Sequence, residues 1–203
     1  MKLYFTPGTC SLADHIALEW VGKPYEAQLV TREQRKQPAY LAINPAGAVP
    51  ALDVDGWILT QNVAILNYFA DTFPETKLGG DGSPQSRARI NQWLSIVNSD
   101  VHPLFKAFFG GADFLGDQAL IEKAQDHART SLRTLFERID AQLAGKDFVA
   151  GERSIVDPYL FVVLRWAQAL KVDLSGLDHL HAFSDRMRKD PGVQRALQAQ
   201  GLA

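Results

Sequence analysis

The 203-residue sequence predicts an α/β domain built on one mixed four-stranded sheet, followed by an all-α domain. Three observations carry that expectation. The first ~75 residues switch hydrophobic period in the order strand, helix, strand, loop, strand, strand, helix. From Gln85 onward the periodic stretches are helical, and Ile90, Trp93, Leu94, Val97 and Val101 fall on one face. Between the two lies a Pro- and Gly-rich segment, from Thr72-Phe73-Pro74 to Gly82-Ser83-Pro84. The expected boundaries are therefore residues 1–76, a linker at 77–84, and residues 85–203. The β-α-β, loop, β-β-α order of the first unit is the thioredoxin-like one.

KLYF (Lys2–Phe5) reads as the first strand, TPGTC as a turn, and Leu12, Ile16, Leu18 and Val21 as a helix closed by Gly22-Lys23-Pro24. Cys10 thus sits where a strand hands over to a helix N-terminus. Free backbone N–H groups there favour the thiolate and lower a cysteine pKa below its reference of about 8.5. From position alone, an inert buried residue is an equal alternative. Tyr25–Val30 reads as a second strand, parallel to the first through a βαβ crossover. Thr31–Tyr40 is polar and basic and reads as a solvated loop, from which Arg35 or Lys36 can reach an anionic group.

The stretch NPAGAVPALDVDGWILTQNVAIL (residues 44–66) organises the rest of this half. Pro50 lacks the N–H that a sheet ladder needs, so it belongs at an edge, bulge or turn. A cis Val49–Pro50 bond turns the chain and shows the Val49 main chain outward, where an extended peptide can pair with it. Asp55-Gly56 is a two-residue hairpin signal. Gln61 and Asn62 open the next helix, with Asn62 as the expected N-cap and the helix start as a seat for a carboxylate.

In the helical half, Pro103 is expected to bend its helix at His102. His102 alone reads more readily as structural than as functional. The aromatic run LFKAFF offers Phe105 and Phe109 for an apolar pocket or for core filling. Ala119–Leu143 reads as a long amphipathic helix. Ser154 to Asp157 reads as an S-x-x-D capping box that admits the apolar run PYLFVVLRWA into the core, with Pro158 tolerated in the first turn. Two shorter helices, Leu177–Met187 and Val193–Leu202, follow.

Composition is that of an ordinary globular chain, 46% hydrophobic and 22% charged, and a net charge of −2 argues against nucleic acid or a membrane surface as partner. No stretch approaches the ~20 apolar residues of a membrane span, and MKLYFTPGTC lacks a secretion signal's apolar run, so a cytoplasmic location is expected. A single cysteine excludes an internal disulfide and a cysteine-based metal site.

NPAGAVPAL followed by TQNVAILNYFAD resembles the glutathione-binding half of the cytosolic glutathione transferases. GTCSLADHIAL is similar to the segment of their bacterial beta class that carries cysteine where other classes carry tyrosine or serine. The resemblance spans essentially the whole chain. It implies glutathione as co-substrate, no metal, a homodimer, and transfer of glutathione to a hydrophobic electrophile, with Cys10 and His102 catalytic. Glutathione would be held by Val49 and Pro50, by Gln61 and Asn62, by Arg35, and by Ser99 and Asp100 of a second copy, Asp100 meeting the α-amine. Phe5, Phe105, Phe109 and Trp166 would line the second-substrate pocket. Gln61-Asn62 departs from the family's usual acidic or glutamine residue plus serine, and Phe5 replaces a common tyrosine. Glutathione-dependent disulfide or peroxide reduction, through a Cys10 mixed disulfide, is the alternative activity. A ligand-binding or interaction module without catalysis is the third reading.

Overall fold

The computed structural model describes residues 1–203. Strands β1 (Lys2–Phe5), β2 (Glu26–Leu29), β3 (Ala51–Val54) and β4 (Trp57–Thr60) form one sheet in the order β2-β1-β3-β4. β1 is parallel to β2 and antiparallel to β3, and β4 returns antiparallel to β3, so the sheet is mixed as expected. Leu52 faces Leu3 on one side and Leu59 on the other, which centres the apolar face on β3. Pro50 stands just outside the ladder, before the first residue of β3, and the Val49–Pro50 peptide is cis. Asp55 (φ 53°) and Gly56 (φ 91°) both take left-handed conformations, the signature of the tight hairpin that Asp-Gly favours.

Helix α1 (Ser11–Val21) is buried along most of its length because it packs against both halves. It contacts α3 (Asn62–Thr72) under the sheet, and α6 (Val156–Ala169) and α8 (Pro191–Ala199) on the helical side. One core of buried side chains therefore runs through both halves, from Leu3 and Leu52 to Phe136 and Phe161. Thr31–Tyr40 is more ordered than a solvated loop. A 3₁₀ turn at Gln34–Lys36 leads into the short helix α2 (Pro38–Leu41). Tyr40 Oη and Asn44 Nδ2 both donate to the Ala48 carbonyl, at 2.8 and 2.7 Å, and thereby fix the chain next to Val49.

Helix α4 (Pro84–Ser95) begins on a Ser83 side chain that accepts from the Ser86 N–H. It does not simply bend at His102. It loosens into a π-helical stretch at Ile96–Val101 and then tightens into 3₁₀ geometry at His102–Phe108. Pro103 explains the change: with no N–H to donate, it cannot continue the α ladder, and the turns on either side absorb the mismatch. The expected buried face survives, since Ile90, Trp93, Leu94, Val97 and Val101 are all buried. Helix α5 (Gln118–Leu143) is capped by Asp117, and α7 (Asp178–Lys189) and α8 close the bundle. No helix is long and apolar enough to cross a membrane.

Helix α6 is apolar nearly all round, as a central helix must be. Its start differs from a reciprocal capping box. Asp157 Oδ2 accepts from Ser154 N–H (2.7 Å) and Ser154 Oγ (3.1 Å), and Oδ1 accepts from the Val149 N–H (3.2 Å). As an acceptor the Ser154 hydroxyl meets only the Val156 N–H, at 3.4 Å, so the carboxylate carries the cap and also anchors the preceding loop. Replacing Asp157 with alanine leaves those buried donors unpaired and should cost about 2 to 4 kcal/mol of stability. Urea unfolding at neutral pH measures it, and a loss below about 0.5 kcal/mol would contradict this role.

Candidate active site

A cleft of about 760 Å³ opens between the two halves. The β1–α1 turn (Thr6–Cys10), Val49, Arg32 and Arg35 form its sheet side. His102, Phe108, Phe109 and Trp166 form its helical side. Cys10 and His102, singled out in separate halves of the sequence, thus face one space.

Cys10 immediately precedes α1, and its Sγ lies 3.5 Å from the Val49 carbonyl, to which the thiol donates. The expected depression of its pKa is reversed. Burial, with the Asp14 carboxyl as the second cause, pushes the thiol up to about 12. The N–H groups of Cys10 and Ser11 oppose this, as a helix start should, but by less. Asp14 is itself fully buried, and the same desolvation holds its carboxyl well above the usual range.

Val49 makes no main-chain hydrogen bond through either N–H or C=O, although its side chain packs against Val30 and Tyr40. Val49 groups without main-chain partners, the carbonyl met only by the Cys10 thiol, therefore border the cleft. Arg35 lines the same side, forms no salt bridge, and keeps a buried Nε with no partner. Arg32 beside it is likewise without a carboxylate partner.

Asn62 is not an N-cap. It is the first residue of α3, after Gln61 with φ 77° and ψ 122°. Its buried side-chain amide donates to the Cys10 carbonyl (2.8 Å) and to Asp14 Oδ2 (2.9 Å), which ties the start of α3 to the start of α1. The side chain is therefore committed within the fold. The main-chain seat remains: the Ile65 N–H bonds the Gln61 carbonyl at 3.0 Å, and the N–H groups before it are those of a helix start.

On the helical side, Tyr159 Oη donates to Asn98 Oδ1 (3.2 Å) and also meets His102 Nδ1. With its one proton given to Asn98, the phenol accepts from His102, so the imidazole carries its hydrogen on Nδ1 and a lone pair on Nε2. Burial, and secondarily Lys106, lower the His102 pKa to about 4, so the ring is neutral at physiological pH. Trp166 Nε1 donates to the Gly8 carbonyl (2.7 Å), and its ring stands edge-on to His102 and Phe109, with centroids at 5.0 and 5.3 Å.

Two expected pocket residues are elsewhere. Phe5 is 4% exposed and packs under the sheet against His15, because its position in β1 turns it to the core face. Phe105 is fully buried behind the cleft, stacked on Phe109 and edge-on to Trp166, where it supports the wall without lining it. Phe109 and Trp166 do line the cleft, joined by Phe108, whose signal was the same aromatic run. Ser99 and Asp100 are exposed in the π-helical stretch and do not line this chain's cleft. Tyr159, which orients His102, sits in an apolar run with nothing local to mark it. No group of three or more His, Cys, Asp and Glu side chains could hold a metal ion.

The family described as "Glutathione S-transferase, N-terminal domain" matches residues 14–77, and its C-terminal counterpart matches residues 93–191. A glutathione S-transferase of Xanthomonas campestris is 56% identical over 203 residues, which is all of both chains. The chain belongs to the glutathione S-transferase family. A solved glutathione S-transferase from Xylella fastidiosa superposes with a TM-score of 0.97 at 53% identity, covering 100% of this chain and 99% of that one. A Sphingomonas chungbukensis glutathione S-transferase, described as bacterial beta class, superposes at 0.88 with 38% identity, each chain being fully covered. Within the family frame, the thioredoxin-like half carries the cysteine and the open peptide unit, and the helical half carries the aromatic wall.

Two pH dependences follow. Cys10 should react slowly with iodoacetamide at pH 8 and keep accelerating through pH 10, with no plateau near 8.5; early levelling would show a thiolate instead. His102 is depressed in the fold from its ordinary 6.5 to about 4, so the stability it contributes is complete above about 6.5 and declines as pH falls toward 4. Its ring-proton resonances should titrate near the lower value, and a midpoint above 6 would contradict the buried neutral ring.

Proposed function

We propose that the chain is a beta-class member of its family, conjugating the glutathione thiol to hydrophobic electrophiles. The observation that carries this is the Val49 main chain, free of main-chain partners beside Cys10, in a cleft with an uncompensated arginine at one end and an aromatic wall at the other. The family's shared name and the close Xanthomonas campestris relative support the reaction. The beta-class Sphingomonas chungbukensis structure and Cys10 support the class.

Each group of a thiol tripeptide finds a complement here. Val49 N–H and C=O pair with the cysteinyl main chain as an added strand, next to Pro50. The Arg35 guanidinium receives the glycine carboxylate. The N–H groups at the start of α3 receive the γ-glutamyl carboxylate, with Gln61 beside them and Asn62 holding that helix end in place. Ser99 and Asp100 reach a second copy's ligand in a homodimer, Asp100 meeting the amine.

The cleft's chemistry is built from hydrogen bonding around a guest sulfur. The Cys10 thiol, kept protonated by burial, turns from the Val49 carbonyl to donate to the guest thiolate, together with the helix-start N–H groups. His102 Nε2 accepts the hydrogen bond of the incoming S–H. With a pKa near 4 it passes the proton on to water and does not retain it. Phe108, Phe109 and Trp166 receive the electrophile's apolar body. A thiol pushed up to about 12 is a poor nucleophile at neutral pH, which favours conjugation over exchange through a Cys10 mixed disulfide.

The proposed division of the chain is residues 1–76 for glutathione binding, 77–84 as linker, and 85–203 for the second substrate and dimer contacts. The proposed location is the cytoplasm, where a free thiol stays reduced.

Retention on immobilised glutathione, then turnover with aryl halides, epoxides, hydroperoxides and mixed disulfides, tests the assignment. A folded protein that is not retained would sink it. Arg35→Ala should raise the glutathione KM about tenfold, since a charge-assisted contact is lost. Cys10→Ala should abolish disulfide reduction while conjugation partly survives, and equal loss of both would show that Cys10 bonds to the guest.

A further inference from the structure

Gly8, on the cleft wall, is held from both sides. Its N–H donates to Gln200 Oε1 (3.2 Å), and its carbonyl accepts from Trp166 Nε1 (2.7 Å). At φ 72° it occupies the left-handed region, which glycine adopts without the strain other residues would meet. Gln200 is 5% exposed, and its amide nitrogen lies 3.1 Å from His15 Nδ1. With Oε1 committed to Gly8, that nitrogen donates, His15 Nδ1 accepts, and the imidazole hydrogen resides on Nε2. His15 is buried between Phe5 and Tyr25, and its Nε2 has no partner.

We propose that Gln200 is a positioning residue for the electrophile side of the cleft. By bridging His15 to the Gly8 N–H it fixes the peptide before Gly8, and with it the Gly8 residue whose own carbonyl holds Trp166; through the Trp166 ring it sets His102 and Phe109. The glutathione side, at Val49 and Arg35, has no contact in this chain of groups. The inference rests on the transferase reading of the cleft for its catalytic consequence, but not for the geometry of Gly8.

Three variants test it. Gln200→Leu removes donor and acceptor together. Gln200→Glu keeps an acceptor for Gly8, and His15 can then donate from Nδ1 without losing a bond, since its Nε2 is unpartnered. Gln198→Leu alters an exposed glutamine in the last turn of α8, two residues before Gln200. In Gln200→Leu, Gly8 amide exchange followed by NMR should quicken about tenfold. Its kcat/KM for an aryl halide should fall about tenfold, while the KM for glutathione stays within about twofold, because the displaced groups meet the electrophile and the reacting S–H but not the Val49 and Arg35 contacts that hold the tripeptide. Gln200→Glu and Gln198→Leu should remain within about twofold of the parent in all three measures.

Unchanged Gly8 exchange in Gln200→Leu would overturn the proposal. So would failure of Gln200→Glu to restore it, or a glutathione KM that rises in parallel with the loss for the electrophile. If the parent protein conjugates no electrophile, the transferase reading falls by itself, and the Gly8 exchange rates still decide whether Gln200 positions this wall.

Discussion

The side-chain amide of Asn62 is the contact on which the site's architecture depends. One nitrogen reaches the Cys10 carbonyl and the Asp14 carboxyl, and so locks the starts of α3 and α1 together under the sheet. The start of α1 lines the cleft, and this one side chain ties the start of α3 to it. Desolvation raises the fully buried Asp14 carboxyl well above its usual range, with the Asn62 amide supplying a donor to one oxygen while the other has no side-chain partner.

The electrostatics of the cleft follow from burial more than from helix ends. A helix start lowers a thiol pKa by an amount that survives only where water or a cation shares the work. Cys10 has the N–H groups but lies against Val49 and above Asp14, and desolvation exceeds their effect. His102 obeys the same rule with the opposite sign, since for a base the charged form is the protonated one. Cys10 and His102, which line the same cleft from its two sides, are thereby both kept neutral, and each offers a hydrogen bond rather than a charge.

Much of the fold was legible in sequence because its signals are local. Asp55-Gly56 dictates a hairpin, Pro50 cannot enter a ladder, and the spacing of Ile90, Trp93, Leu94, Val97 and Val101 needs a single buried helix face. The pairing of Cys10 with His102 came from resemblance, and no local pattern joins residues in different halves. What stayed hidden depends on direction and long-range contact. Phe5 reads as a pocket residue until the pleat of β1 turns it to the core, and Asn62 has a cap's composition until Asp14 is found beneath it. Tyr159 looks like one more apolar residue of α6, although its hydroxyl decides which nitrogen of His102 carries the hydrogen.

The Arg35 and Arg32 pair, both free of carboxylate partners at the mouth of the cleft, has a further consequence. In a chain of net charge −2 they form a local positive funnel, whose field draws anions inward before any specific contact forms. Ionic strength screens that field over about 10 Å at 0.1 M salt, so capture of a doubly carboxylated guest slows as salt rises. Phosphate and sulfate buffers act as rivals for the same guanidinium, whereas a zwitterionic buffer leaves it open.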